Sequence, residues 1–67
     1  NVMGIGANIK HLREAKGISQ RQLAEKVEIS QPMLCQIERE TKKPSLPVGL
    51  ALAEALGVGV ERLMGRG

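Results

Sequence analysis

One stretch decides the fold, and it runs Ser30-Gln31-Pro32-Met33-Leu34-Cys35-Gln36-Ile37-Glu38-Arg39. Its apolar spacing predicts a short helix over about residues 31–39, with Leu34 and Ile37 on one side. Ser30 suits the start of this helix, because its hydroxyl can accept a hydrogen bond from a free backbone N–H in the first turn. Ile29 can pair with Leu34 as a hydrophobic staple. The stretch therefore predicts a capped helix with one apolar face.

Another side of this predicted helix carries Gln31, Pro32 and Gln36. A glutamine amide holds a donor and an acceptor together, which matches the N6/N7 edge of adenine in the major groove of DNA. On an arbitrary helix, such glutamines usually serve only to keep the surface soluble. Their interpretation as base-reading groups therefore depends on the element that precedes them.

The segment before this helix begins with the capping-box sequence Ser19-Gln20-Arg21-Gln22. Leu23, Ala24 and Val27 follow at helical spacing and predict a helix over about residues 20–27. Only a tight turn separates the two predicted helices, so they must cross at a steep angle. The pair forms a helix-turn-helix pattern, whose second helix enters the major groove in proteins that bind DNA this way.

A further helix is predicted at the start of the chain, over about residues 5–16. Its buried stripe consists of Ile5, Ile9 and Leu12. Gly17 follows as a C-terminal stop, because glycine readily adopts the left-handed conformation that ends many helices.

Two more helices are predicted toward the end of the chain. The fourth follows a cap at Ser45 and ends at Gly57. The residues predicted to face inward from it are Leu46, Leu50, Ala53 and Leu56. A short fifth helix is predicted over about residues 60–64.

The length of the chain, 67 residues, is enough for one domain with one small core. We predict an all-α, compact five-helix domain over residues 5–64, with residues 1–4 as an N-terminal remnant or disordered start and residues 65–67 as a C-terminal tail. No apolar run is long enough for a membrane span, and a single cysteine suits a reducing cytoplasm. We therefore expect a cytoplasmic protein with no membrane partner.

The composition favours some functions over others. A net charge of +3 is compatible with binding nucleic acid, while the absence of Phe, Tyr and Trp argues against single-strand binding by base stacking. The chain has no Asp, hence no Ser–His–Asp set, and His11 with Cys35 would give a metal too few ligands. We therefore expect neither an enzyme nor a metal or other cofactor.

Several short motifs follow one another in a specific order. They are Leu12-Arg13-Glu14, Gly17-Ile18-Ser19-Gln20, Leu23-Ala24, Ile29-Ser30, Ile37-Glu38, Pro44-Ser45-Leu46 and Ala53-Glu54-Ala55-Leu56-Gly57-Val58. Each is weak alone, but the ordered set resembles the lambda-repressor-like, Cro/XRE-type helix-turn-helix family from about residue 5 to residue 64. The resemblance implies a sequence-specific regulator of transcription, here interpreted as a repressor, that binds a double-stranded DNA operator, usually as a homodimer.

The resemblance also implies roles for individual residues. The base-facing positions are Gln31, Pro32 and Gln36. The phosphate-contacting positions are Gln20, Arg39, Thr41, Lys42 and Lys43, and the first of these can also brace the recognition helix. The structural ion pair is Arg13 with Glu38, and the positions near the dimer surface are Val60 and Leu63.

Three residues depart from the family pattern. Glu28 and Glu40 stand where glycine is usual, at positions that commonly have a positive φ. A non-glycine residue in that conformation costs roughly 1 kcal/mol or more. Pro32 replaces a more typical polar residue, so it offers apolar contact with a base but few hydrogen bonds.

A second function stays open beside the first. A domain of this kind also suits an antitoxin-type interaction module, which binds a toxin and autoregulates its operon. The DNA-binding face is compatible with both functions, and stable co-purification with a toxin partner would favour the second.

Overall fold

The computed structural model describes residues 4–63 of the chain. The helices of this part are α1 (Ile5–Ala15), α2 (Gln20–Val27), α3 (Gln31–Glu38), α4 (Leu46–Leu56) and α5 (Val60–Leu63). No strand occurs among these residues, so the predicted all-α, five-helix fold is confirmed. The predicted extension of the fifth helix to Met64 and the predicted tail at residues 65–67 lie outside the described residues.

Serine caps start three of the helices. Ser19 and Gln22 form the predicted capping box, with the Ser19 hydroxyl accepting from the Gln22 N–H at 3.0 Å. Ser30 accepts from the Met33 N–H at 3.2 Å, and Ser45 accepts from the Val48 N–H at 3.4 Å. Each cap satisfies a backbone N–H that has no partner inside its own helix.

The helix ends fall within one residue of the prediction. Lys16 and Arg39 were predicted inside α1 and α3, whereas both are C-caps. Gly57 ends α4 in the left-handed conformation, as predicted. The final turn of a helix often frays or tightens, so periodicity locates the body of a helix better than its last residue.

The core forms where α3 packs against α1 and α2 and where α4 packs against α2 and α5. Its members are Ile9, Leu12, Leu23, Ala24, Leu34, Ile37, Leu52, Ala53, Leu56 and Leu63. Two of the side chains predicted to face inward from α4 do not: Leu46 is 73% exposed and Leu50 is 49% exposed. The buried face of α4 carries Leu52, Ala53 and Leu56 instead, because Leu46 lies in the first turn beyond the core and Leu50 at the edge of that face.

Glu28 and Glu40 both have positive φ, at 61° and 64°, as their replacement of glycine led us to expect. Glu40 gains a compensating contact, since its carboxylate accepts the Ala7 N–H at 3.0 Å and lies over Gly4. Gly4 is the N-cap of α1 and has no side chain to cap it. The carboxylate of Glu40 thus caps α1, where it also meets the positive end of the helix dipole. Of the predicted N-terminal remnant or disordered start, residues 1–3 lie outside the described residues, and only Gly4 is described.

Glu28→Gly should raise the free energy of unfolding by up to about 1 kcal/mol. The left-handed conformation costs a non-glycine residue roughly 1–2 kcal/mol, and the greater freedom of glycine in the unfolded chain offsets part of that gain. Urea denaturation of the parent and the variant measures the difference. Lys26→Gly is the control, since it places glycine inside α2 and should destabilise by about 1 kcal/mol. If both variants lose the same stability, the strain assigned to Glu28 is absent.

Candidate nucleic-acid interface

The exposed side of α3 carries the three residues predicted to face DNA bases. Gln31, Pro32 and Gln36 are all exposed, while Leu34 and Ile37 are buried on the inner side of the same helix. We call Gln31, Pro32 and Gln36 the outer face of α3. Its amide groups meet solvent in the free protein, so they are available for hydrogen bonds with a partner.

An ion pair joins α1 to the inner side of α3. The Arg13 Nε donates to Glu38 Oε2 at 2.8 Å, and its Nη2 donates to Glu38 Oε1 at 3.2 Å. The two side chains are only 10% and 3% exposed. The hydrogen bond with Glu38 raises the pKa of the Arg13 guanidinium above its ordinary value, so the arginine stays charged at any pH that the fold experiences.

Two further hydrogen bonds extend this contact into the helix-turn-helix. Arg13 Nη1 donates to the carbonyl of Ile18 at 2.9 Å, just before α2. The Gln20 side chain donates to Glu38 Oε1 at 3.1 Å. α1, the start of α2 and the end of α3 are thereby joined through Glu38. Such a bidentate, charge-assisted pair fixes the angle of α3 relative to its neighbours. Gln20 braces the recognition helix in this way, and its contact with a phosphate stays a prediction.

The segment after α3 presents exposed cations. Arg39, Lys42 and Lys43 are exposed, and none of them has a carboxylate partner within residues 4–63. Thr41 is also exposed, but its hydroxyl donates to the carbonyl of Gln36 at 3.1 Å, where it caps the end of α3. To accept a hydrogen bond from the Thr41 hydroxyl, a phosphate would have to displace the carbonyl of Gln36.

An apolar groove lies on a different part of the surface. Ile5, Pro44, Leu46, Leu50 and Val60 line it, and its volume is about 280 Å³. Leu63 lies at its base and is only 1% exposed, so it fills the core and offers almost no contact area in the free protomer. A place for Leu63 at a dimer surface stays a prediction. Val60, which is half-buried, remains a candidate for a dimer surface.

Two other features bear on function. No helix within residues 4–63 is both long and apolar enough to cross a membrane. The same residues contain no cluster of three or more His, Cys, Asp or Glu side chains placed to hold a metal ion.

Comparison with known proteins identifies the class. The profile of the Helix-turn-helix family matches residues 9–63. The chain is 41% identical over 63 residues to the immunity repressor protein of Bacillus phage phi105, covering 94% of this chain and 44% of the relative. The chain belongs to the lambda-repressor-like, Cro/C1-type helix-turn-helix family of DNA-binding transcriptional regulators.

Solved structures agree with this membership. The P22 c2 repressor in complex with a synthetic operator has a TM-score of 0.87 and 29% identity, over 92% of this chain and 94% of that one. The biofilm regulator SinR in complex with DNA has a TM-score of 0.82 and 37% identity, over 88% of this chain and 95% of that one. The chain spans less than half the length of curated relatives such as the immunity repressor of phage phi105.

Proposed function

We propose that this domain binds an operator in double-stranded DNA and represses transcription, with α3 lying in the major groove. The observation that carries the proposal is the outer face of α3, exposed on one side of a helix that the contacts of Arg13 and Gln20 with Glu38 hold from behind. A recognition helix needs both an exposed base-contacting face and fixed packing behind it. Base contacts discriminate between sequences only when the helix that carries them keeps its orientation.

The chemistry of the outer face favours sites that contain A·T pairs. Gln31 and Gln36 can each pair with the N6/N7 edge of an adenine, and Pro32 can contact a thymine methyl group. Phosphate contacts from Arg39, Lys42 and Lys43 would set the register of the helix along the groove without reading sequence. A protein bound in this way at a promoter excludes the polymerase sterically.

Selection of bound sites from random duplex DNA tests the proposal directly. We expect a recovered site with two related half-sites, and repression of a reporter gene when that site overlaps the promoter. Recovery of no preferred sequence would contradict operator binding. The alternative antitoxin-type function rests on the exposed apolar side chains of Leu46 and Leu50, which another protein could cover. A stable complex with a toxin, whose formation is lost in Leu46→Glu, would support it.

Lys43→Ala should reduce the salt dependence of duplex binding. Each phosphate contact contributes about −0.9 to the slope of log K against log salt concentration, so loss of one cation should make the slope shallower by that amount. Fluorescence anisotropy over a salt series measures the slope. Lys16→Ala serves as the control. It also removes one positive charge, but Lys16 lies beside Gly57, at the C-terminal end of α4. Equal slopes in the two variants would remove Lys43 from the phosphate contacts.

We further propose that two protomers bind one operator through the apolar groove. Leu46 and Leu50 are the large apolar side chains most exposed among the described residues, and they lie beside Val60. A patch of this size buries little area, so the free dimer should be weak and the DNA-bound dimer stronger. Twofold symmetry would place the two recognition helices about one turn of DNA apart.

Leu46→Glu should abolish pairing on the operator while leaving the fold intact, because this side chain is 73% exposed and contributes little to the core. Sedimentation of the operator complex should give two protomers per site for the parent and one for the variant. Glu54→Ala changes another exposed residue of α4 and should keep the parent stoichiometry. A parent complex with one protomer on a full palindromic site would contradict the dimer.

A further inference from the structure

The side chain of Glu40 ties the segment that follows α3 to the start of α1. Its Oε2 accepts the Ala7 N–H at 3.0 Å, across 33 residues of sequence. A Cβ at Gly4 would collide with the Glu40 carboxylate, and a Cβ at Gly6 would lie 2.7 Å from Glu40 Cγ. The two glycines therefore leave the space that this side chain fills. Glu40 makes the contact from a positive φ of 64°, a conformation that disfavours residues with a Cβ.

This contact fixes one end of the loop that carries Lys42 and Lys43. Within residues 4–63, neither lysine donates its backbone N–H to another backbone group. The course of the loop therefore depends on what holds its two ends. At the far end, the Ser45 side chain caps α4. At the near end, Glu40 holds the chain against α1, only a short distance before the first lysine.

Thr41 also holds the near end, since its N–H and its hydroxyl both donate to the carbonyl of Gln36. Both of those bonds go to one carbonyl of α3, so they leave the direction of the loop relative to α1 free. We infer that Glu40 is a positioning residue for DNA binding, whose contact with α1 keeps Lys42 and Lys43 in a fixed place relative to the outer face of α3. The inference rests on the operator binding proposed above. Because phosphate contacts set the register of a protein on the duplex, a fixed loop supports base reading as well as affinity.

Glu40→Gln and Glu40→Asn form a matched pair that tests the inference. Both remove the same charge and introduce the same amide group, and asparagine tolerates a positive φ better than most residues. The glutamine oxygen can still accept the Ala7 N–H, whereas the asparagine side chain is one methylene shorter and does not reach it. Glu40→Asn should bind the selected operator about tenfold less tightly than Glu40→Gln, because the loop and its lysine side chains must then be ordered on binding. Its affinity for unrelated duplex should fall less than about threefold, since a non-specific complex needs no register between base and phosphate contacts.

Gly4→Ser separates positioning from simple capping of α1. Serine is a preferred N-cap residue, and Gly4 is the N-cap of α1. In the Glu40→Asn protein, the carboxylate that would collide with the new Cβ is gone. The double variant Glu40→Asn, Gly4→Ser should therefore regain the melting temperature of Glu40→Gln but not its operator affinity. Recovery of both would overturn the inference and make Glu40 a capping residue only.

The order of the loop in the free protein provides a measurement that needs no DNA. Backbone ¹⁵N relaxation should give lower order parameters for the Lys42 and Lys43 amides in Glu40→Asn than in Glu40→Gln. Equal order parameters in the two variants would overturn the inference, and so would equal affinities for an operator that the parent selects. If the parent selects no duplex, the proposed function is overturned and the role of Glu40 in DNA binding falls with it. The relaxation difference then still shows whether Glu40 orders the loop.

Discussion

Arg13→Ala is expected to lower the free energy of unfolding by about 3 kcal/mol. The substitution leaves Glu38, whose side chain is 3% exposed, as a buried carboxylate with only the Gln20 amide as a partner. Removing one member of a buried ion pair costs about 3–5 kcal/mol, because the remaining charge has lost both its hydration and its partner. The surviving bond from Gln20 places the expected loss at the lower end of that range. Urea denaturation followed by circular dichroism measures it.

A surface ion pair of the same protein provides the matched control. Arg21 and Glu25 are bonded at 3.5 Å, but their side chains are 78% and 68% exposed. Arg21→Ala should therefore cost less than about 1 kcal/mol, since water screens the charges of an exposed pair. The double variant Arg13→Met, Glu38→Met should recover much of the lost stability, because it leaves no unpaired charge in the interior. If Arg13→Ala costs no more than Arg21→Ala, the Arg13–Glu38 pair does not hold α3 in place.

The body of the fold follows from local sequence signals. Ser19, Ser30 and Ser45 cap the helices that they were predicted to cap, because a cap involves only the next three residues. The left-handed conformation of Glu28, in contrast, was expected through the family resemblance, because glycine is usual at that position in the family. Interactions between residues only a few positions apart can be recognised from short sequence motifs.

Features that depend on packing between distant segments were predicted less well. Leu46 and Leu50 fit the apolar period of α4, yet both side chains are exposed. The cap that Glu40 provides for α1 spans 33 residues and matches no local motif. Gly6 is similar: its Cα lies so close to the carbonyl of Ile37 that a Cβ would collide with it, which the sequence of α1 does not reveal.

The residues of the candidate site show the same difference between short-range and long-range features. The outer face of α3 could be predicted from a single helical period, since its members are at most five residues apart. The Arg13–Glu38 pair joins residues 25 positions apart and was expected only through the family resemblance.

Gln31→Ala is expected to lose discrimination at one base pair in each half-site. A bidentate contact between glutamine and adenine is worth about 1–3 kcal/mol against a wrong base. The parent should therefore bind the selected operator roughly 10-fold or more tightly than a version changed at that pair. The variant should bind both versions with nearly equal affinity. Stability should change little, because Gln31 is exposed.

The pattern of losses across the operator distinguishes this role from its alternatives. Gln36→Ala should relax discrimination at a different base pair, since Gln36 lies more than one turn along the same outer face. Lys43→Ala should weaken binding to every duplex equally and leave discrimination intact, because a phosphate contact carries no sequence information. Binding of each variant to the full set of single-base operator changes, at one salt concentration, separates the three cases. A uniform loss for Gln31→Ala would make Gln31 a backbone contact, and the base reading would then have to come from Gln36 and from the shape of the DNA.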